Sequence, residues 1–287
     1  MARTEPTSSA DVPPVHDEDP RGVAPGDPAP GSVVAAFFDV DNTIVRGASS
    51  FHLAIGLYKR EFFRVRDLVF AAVQQLRYVL VGENNEQIGS VRDRALLIIK
   101  GHSVAEVTAI GEEVYEQALV SRIFPGTRKI LDAHIAAGHE VWLITAAPIE
   151  IGALIAQRLG ATGALGSVAE HVDGIYTGRL VGELMHRESK ADGARELAER
   201  RGIDLAASYA YGDSANDIPL LSSVGFPCAI NPEPRLRRHA SERGWPMREF
   251  RGKRRLAKRS LKTASWAGAA WVLGLVARSL TRVIRRR

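Results

Sequence analysis

Only one of the 287 residues, Cys228, is a cysteine, so no internal disulfide can form. That fits a reducing compartment. The eight histidines include no close pair at metal-ligand spacing, and they read as surface or core residues rather than zinc ligands. The N-terminus lacks an apolar segment, so no secretory signal is expected. Residues 251–287 lack acids altogether and carry twelve Lys and Arg. Their longest uncharged run, Thr263–Ala277, is fifteen residues. As a helix it would span about 22 Å, short of the roughly 30 Å hydrocarbon core of a bilayer.

The net charge of +5 conceals a partition. Residues 1–31 carry two bases against six acids, and residues 32–250 carry 24 bases against 27 acids. The body is therefore mildly acidic and the basicity belongs to the C-terminal segment. A nucleic-acid groove across the body is disfavoured.

Hydrophobic content of 45% and charged content of 25% are globular values. Residues 1–31 hold seven of the fourteen prolines, and they read as a disordered tail that cannot form a core. From Val33 to Phe38 the chain is apolar, the pattern of a buried strand. A long stretch from Ser49 to Ser121 then shows apolar residues three and four apart, broken at Gly82-Glu83-Asn84-Asn85. Within it, helices are expected near Ile88–Ile99 and over Val104–Leu119. Pro125-Gly126 reopens an alternating pattern. Helices are expected over Thr127–Ala137, Ile149–Leu159 and Ala191–Arg201. Strands are expected over Val141–Ile144, Ser208–Tyr211 and Pro227–Ile230, with a hairpin over Val172–Tyr176. Alternating strands and helices predict an α/β fold, a parallel sheet in three layers.

Three of the expected strands end in chemistry. The first runs into Asp39-Val40-Asp41-Asn42-Thr43, the second into Thr145-Ala146-Ala147-Pro148, and the strand at Tyr211 into Gly212-Asp213-Ser214-Ala215-Asn216-Asp217. Lys190 stands between the last two. Open α/β sheets collect chemistry just past the carboxyl ends of their strands. Two acidic loops, a hydroxyl and a lysine there form a set suited to phosphoryl transfer, with oxygen ligands for magnesium. Each part alone has a plainer reading. Asp41 and Asn42 are turn residues, Thr145 ends a strand, and Asp217 is a preferred N-cap for a helix starting near Ile218.

Taken in order and spacing, the four parts resemble the haloacid dehalogenase (HAD) superfamily, over roughly Val33 to Phe250. The resemblance implies a Rossmann-like three-layer core, formed by residues 32–46 and 122–250. Residues 47–121 would be an inserted helical cap of the C1 type, as in the phosphoserine-phosphatase-like subclass. It implies that Asp39 is the nucleophile and Asp41 the general acid and base. Thr145 and Lys190 would hold phosphoryl oxygens. Mg2+ would lie on Asp39, the backbone carbonyl of Asp41, Asp213 and Asp217. Asp at position 41 resembles phosphatases and mutases of the superfamily. A cap of this size favours a small or flexible substrate.

Ser90–Leu97 is similar to the cap segment of phosphoserine phosphatases, which makes Arg94 a candidate for a substrate carboxylate or, equally, a solvated helix arginine. Asn216 matches a substrate-contacting position. The subclass carries a Glu nine residues after the nucleophile to meet the substrate ammonium, whereas Ala48 stands there and no carboxylate lies between Asp41 and Glu61. Reaction type is thereby better specified than substrate, and phosphoserine-like and lipid-linked phosphate monoesters both stay open.

Residues 251–262 carry seven positive charges ahead of the apolar run with Trp266 and Trp271. An interfacial helix on anionic lipid fits that order, which would put the protein in the cytoplasm at the inner face of the plasma membrane. A helix docked on the body, or an RNA-binding segment, are the other readings. Two functions from different classes follow: a magnesium-dependent phosphomonoesterase, or a membrane-tethered regulatory protein that senses a phosphorylated ligand. Retention of Asp41 favours the enzyme.

Overall fold

The computed structural model describes residues 31–60, 62, 96 and 99–251. The expected N-terminal tail up to residue 30, most of the central cap segment with Arg94, and the basic segment from residue 252 lie outside the described residues. The strands are β1 (Ala35–Asp39), β2 (Glu140–Pro148), β3 (Gly163–Val172), β4 (Ile175–Val181), β5 (Tyr209–Gly212), β6 (Phe226–Ile230) and β7 (Met247–Arg248). They form one sheet in the order β4-β3-β2-β1-β5-β6-β7, parallel throughout except for the antiparallel β3–β4 edge.

The apolar run of β1 is explained by its place in the middle of this sheet. Successive side chains of a strand point to opposite faces, and a parallel sheet is covered on both. Ala36 and Phe38 enter one core cluster with Leu143, Ile155 and Tyr211, while Ala35 and Phe37 enter the other with Leu197, Leu220 and Leu236. The first cluster is supplied by α1 (Ser49–Lys59), α2 (Val104–Val114), α3 (Pro125–Ala136) and α4 (Ile149–Leu159). The second is supplied by α5 (Glu188–Arg201), α6 (Ile218–Ser222) and α7 (Pro234–Arg243). Three layers result, as the alternation implied.

Helix ends follow local chemistry. Ser103 opens α2 with a capping box: its hydroxyl accepts the Glu106 N–H at 3.1 Å, and its own N–H donates to Glu106 at 3.0 Å. The helix expected over Val104–Leu119 widens into a π turn at Tyr115–Leu119 and closes with a 3-10 turn at Val120–Arg122. Helix α4 coincides with its expected bounds. Strand β2 runs past Ile144 to Pro148, but its register against β3 shifts between those two residues, so Thr145–Ala147 sit in an irregular stretch.

The hairpin expected over Val172–Tyr176 is the turn of a longer pair. β3 starts at Gly163 and lies parallel to β2 before it turns back into β4. Its first half, Gly163-Ala164-Leu165-Gly166, has little β propensity. A side chain on Gly163 would meet the Trp142 ring at 2.6 Å, so close strand packing selects the small residue.

The chain winds outward from β1 to β2 and β3 on one side and to β5, β6 and β7 on the other. The reversal makes the β1/β5 junction the switch point, where the crevice of an open α/β sheet opens.

Candidate active site

Asp39 closes β1, and Asp213 directly follows Gly212 at the end of β5, so the two acids leave adjacent parallel strands at the same edge. Helix α5 brings Lys190 between them. Its Nζ lies 2.6 Å from Asp39 Oδ1 and 2.6 Å from Asp217 Oδ1. All four residues are buried. The other Asp217 oxygen accepts the N–H groups of Asp213 and Ser214, each at 3.2 Å. Asp217 therefore orders its own loop and pairs with Lys190 at once. The approach is tight enough that a Cβ on Gly212 would stand 2.6 Å from the Cβ of Asp217.

Carboxylate oxygens of Asp39, Asp213 and Asp217 all lie within 4.8 Å of one another. An all-oxygen, multiply anionic set fits a hard divalent cation such as Mg2+. The protonation equilibria point the same way. Burial raises Asp213 to about 7, with Asp217 adding repulsion. Burial also lifts Asp39 well above the ordinary carboxylate range, against the pull of Lys190 and with Asp217 and Asp213 reinforcing it. Burial opposes the Lys190 ammonium, yet Asp39 and Asp217 outweigh it and hold the lysine charged. Burial is the first cause of both carboxyl shifts and repulsion among the acids adds to it, a cost that a divalent ion held by these oxygens would relieve.

The remaining residues singled out by sequence fall in three places. The Asp41 carboxylate accepts the Ser49 N–H at 2.8 Å. Ser49 is the first residue of α1, whose N-cap, Ala48, offers no side-chain bond. The loop after β1 thus caps α1, and the Asp41 carboxylate is not one of the three clustered carboxylates. Thr145 is buried and its Oγ1 accepts the Ala147 N–H at 3.1 Å. Asn216 faces Arg187, whose Nε donates to its Oδ1 at 3.1 Å. Arg94 lies outside the described residues.

Three residues at the site were not singled out by pattern. Asn231, fully buried at a positive φ of 47°, joins three segments. Its Nδ2 donates to Asn42 O at 3.2 Å, and its Oδ1 accepts the N–H groups of Phe250 at 2.7 Å and Arg251 at 3.0 Å. Glu233 braces the second acidic loop by accepting the Ala215 N–H at 2.8 Å, while its own N–H donates to Asp213 O at 2.8 Å. Arg251 reaches Asp213, with Nη2 to Oδ2 at 3.3 Å. The dipeptide Asn231-Pro232 was a visible signal for the first. Arg251 carried none, since it looks like the first charge of the basic segment. Two histidines that sequence spacing left apart also meet, His134 Nδ1 and His139 Nδ1 at 2.9 Å, though away from the carboxylates.

Comparison with known proteins agrees with this geometry. The family model for haloacid dehalogenase-like hydrolases matches residues 36–222. The phosphoserine phosphatase SerB1 of Mycobacterium tuberculosis is 48% identical over 268 residues, covering 92% of this chain and 87% of that protein. The histidinol-phosphatase of Neisseria meningitidis is 28% identical over 75% of this chain and 98% of its own length. The crystal structure of a Bordetella pertussis protein of unknown function superposes with a TM-score of 0.66 at 28% identity, over 76% of this chain and all of that one. With a buried Lys190 between the two acidic loops and a family match spanning both, the chain belongs to the haloacid dehalogenase-like hydrolases, among the phosphoserine-phosphatase-like members.

Proposed function

We propose that this protein is a Mg2+-dependent phosphomonoester hydrolase that works through an aspartyl-phosphate on Asp39 and takes a small phosphate monoester. The observation that carries the reading is the Lys190 ammonium shared by Asp39 and Asp217, beside three convergent carboxylates. A bound Mg2+, held by Asp39, Asp213, Asp217 and the Asp41 carbonyl, would neutralise phosphoryl charge and align the ester for in-line attack.

The residues divide the remaining work. An Asp39 oxygen attacks phosphorus; the new O–P bond forms as the ester P–O bond breaks, and Asp41 gives its proton to the departing alkoxide. Asp41 then takes a proton from the water that attacks the aspartyl-phosphate, which releases inorganic phosphate and restores Asp39. Thr145 offers its O–H, and Lys190 its charge, to the non-bridging oxygens. The Ser49 N–H holds Asp41 from the start of α1, which ties the proton-transfer group to the cap.

The SerB1 and histidinol-phosphatase relatives are both named for the hydrolysis of small phosphate monoesters, which supports that class here. Ala48 leaves the identity within the class open, with Arg94 and Asn216 as candidate contacts. The deciding experiment pairs a panel of phosphoserine, histidinol phosphate, sugar phosphates and lysophosphatidate with the Asp39→Asn variant. Asp39→Asn should lower turnover of every accepted ester by on the order of a thousandfold. Near-normal turnover would remove the nucleophile assignment. A binding protein that only senses a phosphorylated ligand would show no turnover in either form.

The sequence of residues 251–287 supports a location in the cytoplasm, peripheral on the inner face of the plasma membrane. Among the described residues no helix is long and apolar enough to cross a membrane. The full chain should sediment with phosphatidylglycerol vesicles, less so at high salt, and leave phosphatidylcholine vesicles alone. Equal binding to both, or to neither, would discard the anionic-surface reading.

A further inference from the structure

Arg251 was read from sequence as the first charge of a basic segment, yet it ends up at the reaction centre. We infer that Arg251 is a built-in counter-cation for the metal ligand Asp213, competing with the ion and setting its affinity. The inference rests on the proposed metal site.

Three observations carry it. The backbone that bears Arg251 is pinned: Asn231 Oδ1 accepts the N–H groups of both Phe250 and Arg251, and the Phe250 ring packs where a Cβ on Gly126 would stand 2.2 Å away. The guanidinium is therefore delivered to Asp213 by a fixed peptide. Secondly, the cations are divided unequally. Lys190 bonds to Asp39 and Asp217 and makes no hydrogen bond to Asp213 among the described residues, whereas Arg251 makes one at 3.3 Å. Thirdly, the Arg251 side chain is 44% exposed while that of Asp213 is 11% exposed, so the guanidinium can withdraw into solvent and the carboxylate cannot.

These facts give the pair its direction. With no ion bound, Arg251 satisfies the one clustered carboxylate that Lys190 does not bond. An entering divalent cation meets that positive charge as a competitor, and the half-exposed arginine is the partner free to yield. A half-exposed pair is worth at most about 1 kcal/mol, which corresponds to roughly a fivefold change in a dissociation constant. The effect is an adjustment of affinity, not an on-off switch. Because the same peptide continues into residues 252–262, the metal site and the basic segment are joined through one residue.

The test measures Mg2+ binding to the full chain by titration calorimetry, and the Mg2+-induced rise in unfolding temperature, in the wild type, Arg251→Gln and Arg251→Lys. Arg251→Gln should bind Mg2+ about two- to fivefold more tightly and show the larger thermal rise, while Arg251→Lys stays near the wild type. Unchanged or weaker binding by a folded Arg251→Gln overturns the inference. So does an Arg251→Lys that behaves like Arg251→Gln, because the charge would then not be the cause. Asp213→Ala is the control on the underlying reading. Its loss of Mg2+ binding upholds the site, and wild-type binding would remove the metal assignment and this inference with it.

Discussion

Two buried polar clusters hang from the same central strands, β1 and β5, and they handle burial in opposite ways. At the carboxyl edge, Lys190 pairs with Asp39 and Asp217, and that pairing keeps the lysine charged against a burial that lifts Asp39 and Asp213 above the ordinary carboxylate range. Deeper, on one face of the sheet, His134 from α3 lies 2.8 Å from the Tyr211 hydroxyl of β5 and 2.9 Å from His139, under Phe38 of β1. That cluster avoids charge: burial, helped by repulsion from His139, lowers His134 to about 3, and burial keeps Tyr211 un-ionised. A buried charge is expensive unless paired, and a buried neutral polar group needs only a hydrogen bond. The first arrangement gathers the groups that the proposed chemistry would use. The second only lets polar atoms sit in an apolar core.

The sharpest way to break that contrast is Lys190→Ala, measured in chelator so that no ion substitutes. It leaves two buried carboxylates without their shared cation. The expected loss in chelator is about 3 kcal/mol of unfolding free energy, and with Mg2+ supplied the variant should lose ester hydrolysis relative to the wild type. A variant that kept both stability and turnover would show that the charged cluster is not held as described.

The neutral cluster predicts a smaller effect with a definite sign. His134 takes up a proton near pH 6.5 in the unfolded chain but only near 3 when folded. Above the unfolded value it is neutral in both states and contributes no pH dependence. As pH falls from about 6.5 towards 3, the unfolded state gains the proton first, so stability falls, by about 2 kcal/mol at pH 5. Urea unfolding of the wild type and His134→Gln at pH 8 and pH 5 measures this. The wild type should lose about that much more than the variant between the two conditions. Parallel losses would show that His134 is not the titrating group, and turnover per folded molecule at pH 8 should stay within about twofold in the variant.

The elements legible in the sequence were those whose burial is written into consecutive residues. β1, the middle of β2 and α4 have apolar patterns that only one geometry satisfies, and each came out with nearly the expected bounds. Asp217 carried two readings, N-cap of the helix at Ile218 and site carboxylate. It stands at the N-cap position of α6 but makes no side-chain bond there, and its carboxylate instead closes a capping box with Ser214 in the 3-10 turn before it and pairs with Lys190. Elements set by long-range contacts were not legible. Strand β3 begins at Gly163, where the Trp142 ring of the neighbouring strand leaves no room for a side chain. Strand β7 is two exposed residues whose only reason to be extended is its pairing with β6. Helix α7, with arginines on most of its exposed face, gives a weak apolar signal from Leu236 and Ala240 alone.

By itself the sequence determined the reaction chemistry this chain can host. The placing of Asp39, Asp41, Thr145, Asp213 and Asp217 after apolar runs is a local property, because a strand buried on both faces must be apolar and must release its polar residues at its end. Only the tertiary structure decided how those charges are shared. Which carboxylates take Lys190, that Asn231 ties the loop after β1 to Phe250, and that Arg251 faces Asp213 all depend on distances between segments far apart in the chain. An ion pair or a shared hydrogen bond forms within about 3 Å. No pattern of residue types along one chain encodes that closeness until the sheet has ordered its strands.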